Sequence, residues 1–421
     1  MKNETAVKEN IAEKYKEVRA CTEKIVAPLQ TEDYIIQAGP DASPPKWHLA
    51  HTTWFFERFV LKEYKTTYEA LNNQFDYLFN SYYETVGEFH PRAQRGVLAR
   101  PSIEEVKQYR YYIDAHMKEL FEELTEENRD KVLSIVEIGL QHEQQHQELL
   151  LTDIKYNFFT NPLLPAYISQ TTEENGKRKE TSFIEIEGGL IEVGHDNSSF
   201  SFDNERPRHK VWLESYRIAD APVTNREYIE FIEDGGYERP ELWLSDGWAH
   251  IKKEGWTHPL YWKKDGEEWS IFTLHGQSAL NLDEPVCHVS FYEGDAFTRW
   301  KGKRLPTEQE WEHAFSRIEC EGNFVENNLY HPNSQYKGNG PLYKGYGDVW
   351  EWTRSPYVPY PKSKPLEGAL GEYNAKFMCN QMVLKGGSCA TPHSHIRPTY
   401  RNFFQPEKRW QFTGFRLAED V

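Results

Sequence analysis

A break in texture near residue 170 constrains this chain more than any other feature. Up to about residue 160, glycine is sparse and apolar residues recur in steps of three and four, as in long amphipathic helices. From Phe183 onward Gly and Pro are frequent, apolar runs are short, and Trp and Tyr are scattered. That pattern reads as many short strands and loops with a few helices. Between them, residues 170–182 (QTTEENGKRKETS) are polar and charged with no apolar residue. The expectation is a two-domain α+β chain: a helix bundle over 1–165, a linker over 166–182, and a strand-and-loop domain over 183–421. A length of 421 residues accommodates both domains. The aromatic content of 14% suits a loop-rich half pinned by large side chains with polar handles.

Four helices are expected in the first half. The first covers about 5–29. The second opens at Ser43-Pro44, a capping residue followed by Pro at the first helical position, and runs to about 63. The third opens at Ser102, with Glu105 three residues on completing a capping box. The fourth runs from near Thr125 to about 158. With a long crossover over 64–101, this describes a four-helix bundle.

The fourth helix carries the chemistry. Its inward stripe reads Ile135, Ile138, His142, His146, Leu149, Asp153, so two histidines stand where a bundle core calls for leucine. At i, i+4 spacing their rings share one face, one turn apart, close enough to hold one metal. The string His142-Glu143-Gln144-Gln145-His146 also spells HExxH, the zinc-protease signature, but the text that follows lacks the Gly and third His of its extended form. A third ligand is available on the second helix, where His48 and His51 lie three apart; spacing does not choose between them. Three neutral imidazoles from two helices leave open positions on a metal, which suits a catalytic rather than a structural site.

Composition excludes several alternatives. A formal net charge of −17 with no long basic run argues against a nucleic-acid partner. The polar start MKNETAVKENIAEKYKEV has no apolar signal core, and no stretch approaches the ~18 apolar residues of a membrane span. The five cysteines are widely spaced and odd in number, without CxxC pairs, so neither a disulfide framework nor a thiolate zinc site is indicated. The chain reads as cytoplasmic, reduced and without a membrane partner.

Longer strings resemble a known family. SPPKWHLAHTTWFFE (43–57), LFNSYYETVGEFHPRAQRG (78–96) and QHEQQHQE (141–148) are similar to the DinB-like bundle of ergothioneine-pathway sulfoxide synthases. In the second half, FIEIEGGLIEVG (183–194), PVTNREYIEFIEDGGY (222–237), RLPTEQEWEHA (304–314), GDVWEWTRSPY (347–357), LKGGSCATP (384–392) and YRNFFQPEKRWQFTGFRLA (400–418) resemble the same family's formylglycine-generating-enzyme-like domain, a C-type-lectin-related fold. The resemblance implies an Fe(II) enzyme that uses O2 to join the sulfur of cysteine or γ-glutamylcysteine to the imidazole C2 of hercynine, as a sulfoxide.

The same resemblance implies roles for single residues. It selects His51 with His142 and His146 as metal ligands and makes His48 a neighbour. Tyr82 and Tyr83 occupy the place of active-site tyrosines, where a phenol can donate a proton or hydrogen atom. Arg92 and Arg95 match an arginine pair that grips the thiol substrate's carboxylate. Gln145 and Asn402 are implied as hydrogen-bonding contacts for hercynine, with Phe403 and Phe404 offering ring faces to its trimethylammonium group. Some members carry an Asp at the position of Phe404 that holds a γ-glutamyl amine; its absence here favours free cysteine.

Three other readings define what must be tested. A related synthase could take a selenium donor or unmethylated histidine, although the latter type usually carries a methyltransferase domain and this sequence ends at Val421 after the lectin-like part. A zinc-dependent hydrolase or thiol transferase could use the same bundle, or the histidines could be remnants in a binding protein. Formylglycine generation itself needs two reactive cysteines late in the chain. Cys389 has no second cysteine a few residues on and reads as a structural thiol.

Overall fold

The long helix α6 (Arg129–Phe159) organises the first half, and a carboxylate in its middle sets how it lies. Glu143 is fully buried and takes hydrogen bonds from Arg19 Nη1 (2.9 Å) and Thr22 Oγ1 (2.7 Å) on α1 (Lys2–Val26). A third comes from Arg110 Nη2 (2.6 Å) on α5 (Ile103–Glu123). Arg19 also reaches Thr53 (3.2 Å) on α2 (Pro45–Phe56), so one ionic cluster touches all four long helices. Burial alone would raise the Glu143 pKa; Arg110 and Arg19, with hydrogen bonds from Arg110 and Thr22, outweigh it and hold the pKa at about 2.

This cluster corrects the inward stripe expected from hydrophobicity. Ile135, Ile138 and Leu149 are only half-buried, whereas Val132, Val136, Gly139, Leu140, Glu143, Gln147, Leu150 and Ile154 are buried. The bundle centre is offset by about one residue because Glu143 and Gln147 fill it with polar partners. Gln147 donates to Val18 O and Thr22 Oγ1. A hydrophobic pattern does not register such positions. Gly139 is required here: a Cβ would stand 2.5 Å from the Phe56 ring.

Helix boundaries follow local capping. The Ser102–Glu105 capping box opens α5 as expected. α6 begins at Arg129 rather than near Thr125, because Thr125 donates its backbone N–H to Asn128, the N-cap. α2 is capped by Pro44 with Pro45 first in the helix, not by Ser43, whose backbone N–H and hydroxyl are engaged elsewhere. After Phe56 the helix widens into a π turn (Glu57–Leu61) and ends in α3 (Lys62–Tyr64). The crossover contains the short helix α4 (Phe75–Phe79) and a 3-10 stretch over Arg92–Val97.

The structure, a computed structural model, describes residues 2–169, 176–178, 180–336 and 340–421. Residues 170–175 and 179 of the expected linker lie outside these. Two units are separated by contact density: Met1–Tyr167 with Glu367–Glu372, and Ile168–Leu366 with Tyr373–Val421. Among the described residues no helix is long and apolar enough to cross a membrane.

The second unit is built from short pieces. Its strands are β1 (Phe183–Ile186), β2 (Gly189–Val193), β3 (His209–Leu213), β4 (Tyr216–Ala219), β5 (Trp262–Asp265), β6 (Glu268–Thr273), β7 (Gly276–Ala279), β8 (Trp350–Pro356), β9 (Met382–Lys385), β10 (Asn402–Phe404), β11 (Thr413–Gly414) and β12 (Ala418–Asp420). They form sheets β1-β4-β12, β10-β9-β8-β11, β2-β3 and β5-β6-β7, antiparallel except for β8 with β11. Capping boxes at Thr224–Glu227, Ser290–Glu293 and Thr307–Glu310 open α7 (Asn225–Glu233), α9 (Phe291–Trp300) and α10 (Glu308–Phe315). Between Ser245 and Glu254, α8 ends on Gly255, which supplies the left-handed φ of +67°. Buried pairs stitch the irregular segments: Arg416 holds Glu351 through two 2.6 Å contacts, and Arg401 holds Glu308 at 2.7 Å.

Glu143→Gln removes the carboxylate that the buried Arg19 and Arg110 share and leaves them only the half-exposed Asp114 (2.8 Å) and Glu23 (2.7 Å), so a loss of about 3 kcal/mol in unfolding free energy is expected. Because the folded pKa lies below the ordinary 4.5, this contribution is complete above pH 4.5 and is lost as pH falls toward about 2. Chemical denaturation of both proteins between pH 7 and pH 3 checks this: the difference should shrink only at the acid end, and equal stability at pH 7 would refute it.

Candidate metal centre

On α6, residues 142 and 143 point about 100° apart. With Glu143 fixed toward α1 and α5, His142 turns toward α2, and His146 follows one turn later. α2 presents His51 to them. The metal-binding atoms of His51, His142 and His146 all lie within 4.8 Å of one another, and the three residues are buried. His51 Nε2 stands 3.2 Å from His142 Nε2. Ring nitrogens bound to one ion at roughly 2.0–2.2 Å stand about 3.0–3.5 Å apart, so this spacing fits a shared ion.

The electrostatics suit metal binding. Burial lowers the pKa of His142 to about 3, and burial together with neighbouring His142 pushes His51 and His146 well below the ordinary value. All three are neutral near pH 7 and offer lone pairs. His51 Nδ1 donates to the Phe79 carbonyl at 2.5 Å, which leaves Nε2 as the bare nitrogen. Its ring stacks on Trp47 (4.4 Å, 15°), and Phe55 lies 4.9 Å from His142. Glu143, the general base of the zinc-protease reading, is instead bound by two arginines in the bundle centre.

His48 is not among the three clustered ligands. Its Nδ1 faces His146 Nδ1 at 2.8 Å, and its Nε2 faces Asp153 Oδ2 at 3.0 Å. Burial lowers the His48 pKa, with Asp153 acting the other way and Arg95 and Arg92 adding to the decrease. Sequence reading placed Asp153 on the inward stripe but gave it no function. The signal was present: Asp153 follows His146 by seven residues, two turns along one face.

The crossover brings further expected residues to the same unit. Tyr83 is fully buried, Tyr82 half-buried; their rings stack at 4.6 Å and their hydroxyls lie 3.5 Å apart. The Tyr83 ring meets Phe59 of the π turn (5.1 Å) and Trp54 (5.8 Å), and Trp54 in turn packs near His51 (5.7 Å). Arg95 is buried over Trp47, 3.3 Å from the ring centre, and donates to Ser43 Oγ (2.9 Å) and Ser81 Oγ (3.1 Å). Among the described residues no carboxylate forms an ion pair with it, and its Nε is buried without a hydrogen-bond partner. Burial, reinforced by Arg92, lowers its pKa well below the ordinary value. Arg92 differs: it is exposed and donates to the Asp41 carbonyl. Gln145 is half-buried on α6, between the two histidines.

Asn402, Phe403 and Phe404 form β10 of the second unit and are half-buried. Phe403 stacks on Tyr357 (4.1 Å, 11°), and Phe404 meets Trp410 edge-on (5.7 Å). Cys389 is fully buried.

Residues 14–150 match the DinB superfamily, and residues 169–340 and 323–421 match the sulfatase-modifying factor enzyme 1-like domain. The hercynine oxygenase of Mycolicibacterium smegmatis is 32% identical over 414 residues, covering 91% of this chain and 93% of its own length. That of Mycobacterium tuberculosis is 31% identical over 416 residues, with the same coverage of both chains. The formylglycine-generating enzyme of Bos taurus is 24% identical over 301 residues, covering 57% of this chain and 75% of its own. Agreement over nearly the full length of both chains, bundle and second domain together, singles out the first two: this chain belongs to the hercynine oxygenase family.

Proposed function

We propose that this chain is a mononuclear non-haem Fe(II) sulfoxide synthase of ergothioneine biosynthesis, joining the sulfur of cysteine or γ-glutamylcysteine to the imidazole C2 of hercynine. The observation that carries this reading is the buried, neutral His51–His142–His146 cluster in a chain of this family. The overall chemistry balances on one O2. Forming the C–S bond removes two electrons with the thiol and C2 hydrogens, oxidising sulfur removes two more, and the oxygens end in the sulfoxide and in water. A ferrous ion held by the three imidazoles would supply one-electron chemistry toward O2 and leave positions for the thiolate.

The chain's own residues select and orient. Among the described residues no carboxylate forms an ion pair with the buried Arg95, so the carboxylate of an amino-acid thiol would give its guanidinium a direct partner. Exposed Arg92 adds to the local positive field and is the second arginine of the pair. Trp47, Trp54 and Phe55 keep water from the imidazoles. On this reading the Tyr82 and Tyr83 hydroxyls, 3.5 Å apart, hold and pass a proton, which favours coupling over simple thiol oxidation. The same reading assigns Gln145, Asn402, Phe403 and Phe404 to hercynine recognition. Phe404 supplies no carboxylate for a γ-glutamyl amine, so cysteine is the preferred donor.

Aerobic incubation with Fe(II), hercynine and either thiol, followed by mass spectrometry, should yield a sulfoxide adduct with one O2 consumed per product, faster with cysteine. If iron binds but neither thiol gives an adduct, the reading fails. Arg95→Met is expected to raise the KM for cysteine on the order of 100-fold, as for loss of about 3 kcal/mol from a buried charge pair, with a smaller change for hercynine. Steady-state kinetics with each substrate varied in turn checks this. Tyr82→Phe and Tyr83→Phe should divide the proton role: the variant lacking the donor forms adduct roughly 100-fold or more slowly while still oxidising thiol. An unchanged ratio of adduct to oxidised thiol in both would remove the tyrosines from the mechanism.

A further inference from the structure

Resting on the metal reading above, we infer that Asp153 and His48 form a hydrogen-bond relay that fixes His146 in the tautomer able to bind the metal through Nε2.

The relay runs from a backbone anchor to a ligand. The Ser43 backbone N–H donates to Asp153 Oδ2 (2.8 Å), and the same oxygen faces His48 Nε2 (3.0 Å). His48 Nδ1 then faces His146 Nδ1 (2.8 Å). Every member is buried, with His48 and Asp153 each at most 2% exposed. Asp153 Oδ2 already accepts from the Ser43 backbone N–H and accepts from His48 in the same way, so His48 carries its hydrogen on Nε2. A neutral imidazole has one N–H, which leaves His48 Nδ1 as an acceptor. Only one hydrogen fits between two ring nitrogens 2.8 Å apart, so it belongs to His146 Nδ1. His146 Nε2 is thereby bare.

The opposite order would spoil the site. With the hydrogen on His48 Nδ1, neutral His48 would set a lone pair against the Asp153 carboxylate. His146 would then be forced to protonate Nε2, the nitrogen needed for a metal. His51 reaches the same state by a shorter route, through Nδ1–H to the Phe79 carbonyl. In metal sites, ligand imidazoles are commonly oriented by a carboxylate or carbonyl, and loss of that partner costs roughly 10–100-fold in metal affinity. Here a second histidine is inserted between carboxylate and ligand. His48 is therefore a positioning residue, and the paired histidines of WHLAH divide the labour: one meets the metal, the other aims a ligand on the facing helix.

Two measurements test the relay separately from the metal reading. Titration of metal-free protein with Co(II), read by absorption, should give one site in the wild type and none in His51→Ala. His48→Phe should keep one site but weaken binding roughly 10–100-fold. His48→Gln, whose amide can donate toward Asp153 and accept from His146, should recover most of the affinity. Equal affinity for wild type and His48→Phe, or no recovery in His48→Gln, overturns the relay while the metal site stands. No binding by wild type, or unchanged binding by His51→Ala, overturns the metal reading and the relay with it. Long-range 1H–15N correlation of histidine-labelled, metal-free wild type reads the tautomer directly and does not depend on how any variant folds. His146 should carry its proton on Nδ1; a proton on Nε2 overturns the relay.

Discussion

Much of the first unit depends on the burial of Glu143 between Arg19 and Arg110. A buried ion pair adds little net stability over well-packed apolar side chains, because desolvation offsets much of the attraction. Its consequence here is geometric. Only one rotation of α6 places Glu143 between the two guanidinium groups, and that rotation turns His142 and His146 toward α2. Rotating the helix by one residue would strand the carboxylate and carry both imidazoles away from His51. An ionic contact in the bundle centre thus aims a set of neutral ligands on its flank.

The same logic explains the charge pattern of the proposed site. Burial keeps the imidazoles of His48, His51, His142 and His146 neutral, while Arg95 is buried as a cation with serine hydroxyls and an indole ring as partners. On the proposed reading, three neutral ligands around a divalent ion, beside the Arg95 guanidinium, form a region short of negative charge even with the Asp153 carboxylate nearby. Such a region selects for ligands that bring it. An amino-acid thiol brings two anionic groups, a thiolate for the metal and a carboxylate for the arginine. Their separation within one small molecule makes the pairing a geometric filter as well as an electrostatic one.

How much of this was legible in the sequence varied with the kind of interaction. The α5 capping box was readable because its two residues are adjacent in sequence and act locally. The centre of α6 lies one position away from where the hydrophobic pattern puts it because Glu143 and Gln147 are satisfied by distant residues, Val18, Arg19 and Thr22 more than 120 positions back and Arg110 33 positions back. Ser43 looked like an N-cap because its chemistry fits one, yet its hydroxyl is taken by Arg95 and its N–H by Asp153, contacts that no local pattern contains. His48 and His51 share a side of α2, so spacing could not rank them. What separates them is the facing helix: His51 Nε2 meets His142, whereas His48 meets His146 at its rear nitrogen.

Within the first unit the crossover, rather than the helices, holds most of the residues assigned to substrate and proton, and its attachment to α2 gives a reason. His51 donates to Phe79 O, Trp47 to Leu78 O, and Asn80 holds Tyr83 through paired hydrogen bonds with its backbone. Arg95 closes the loop onto Ser81 and Ser43. A metal ligand and the loop therefore share backbone contacts, so the loop is positioned to within a hydrogen bond of the triad without being part of a helix. Helix positions are limited to the directions that 3.6 residues per turn allow, whereas a pinned loop can place a phenol and a guanidinium independently. On the proposed function, substitution in the loop then changes what is oxidised while α2 and α6 keep the geometry of the three histidines.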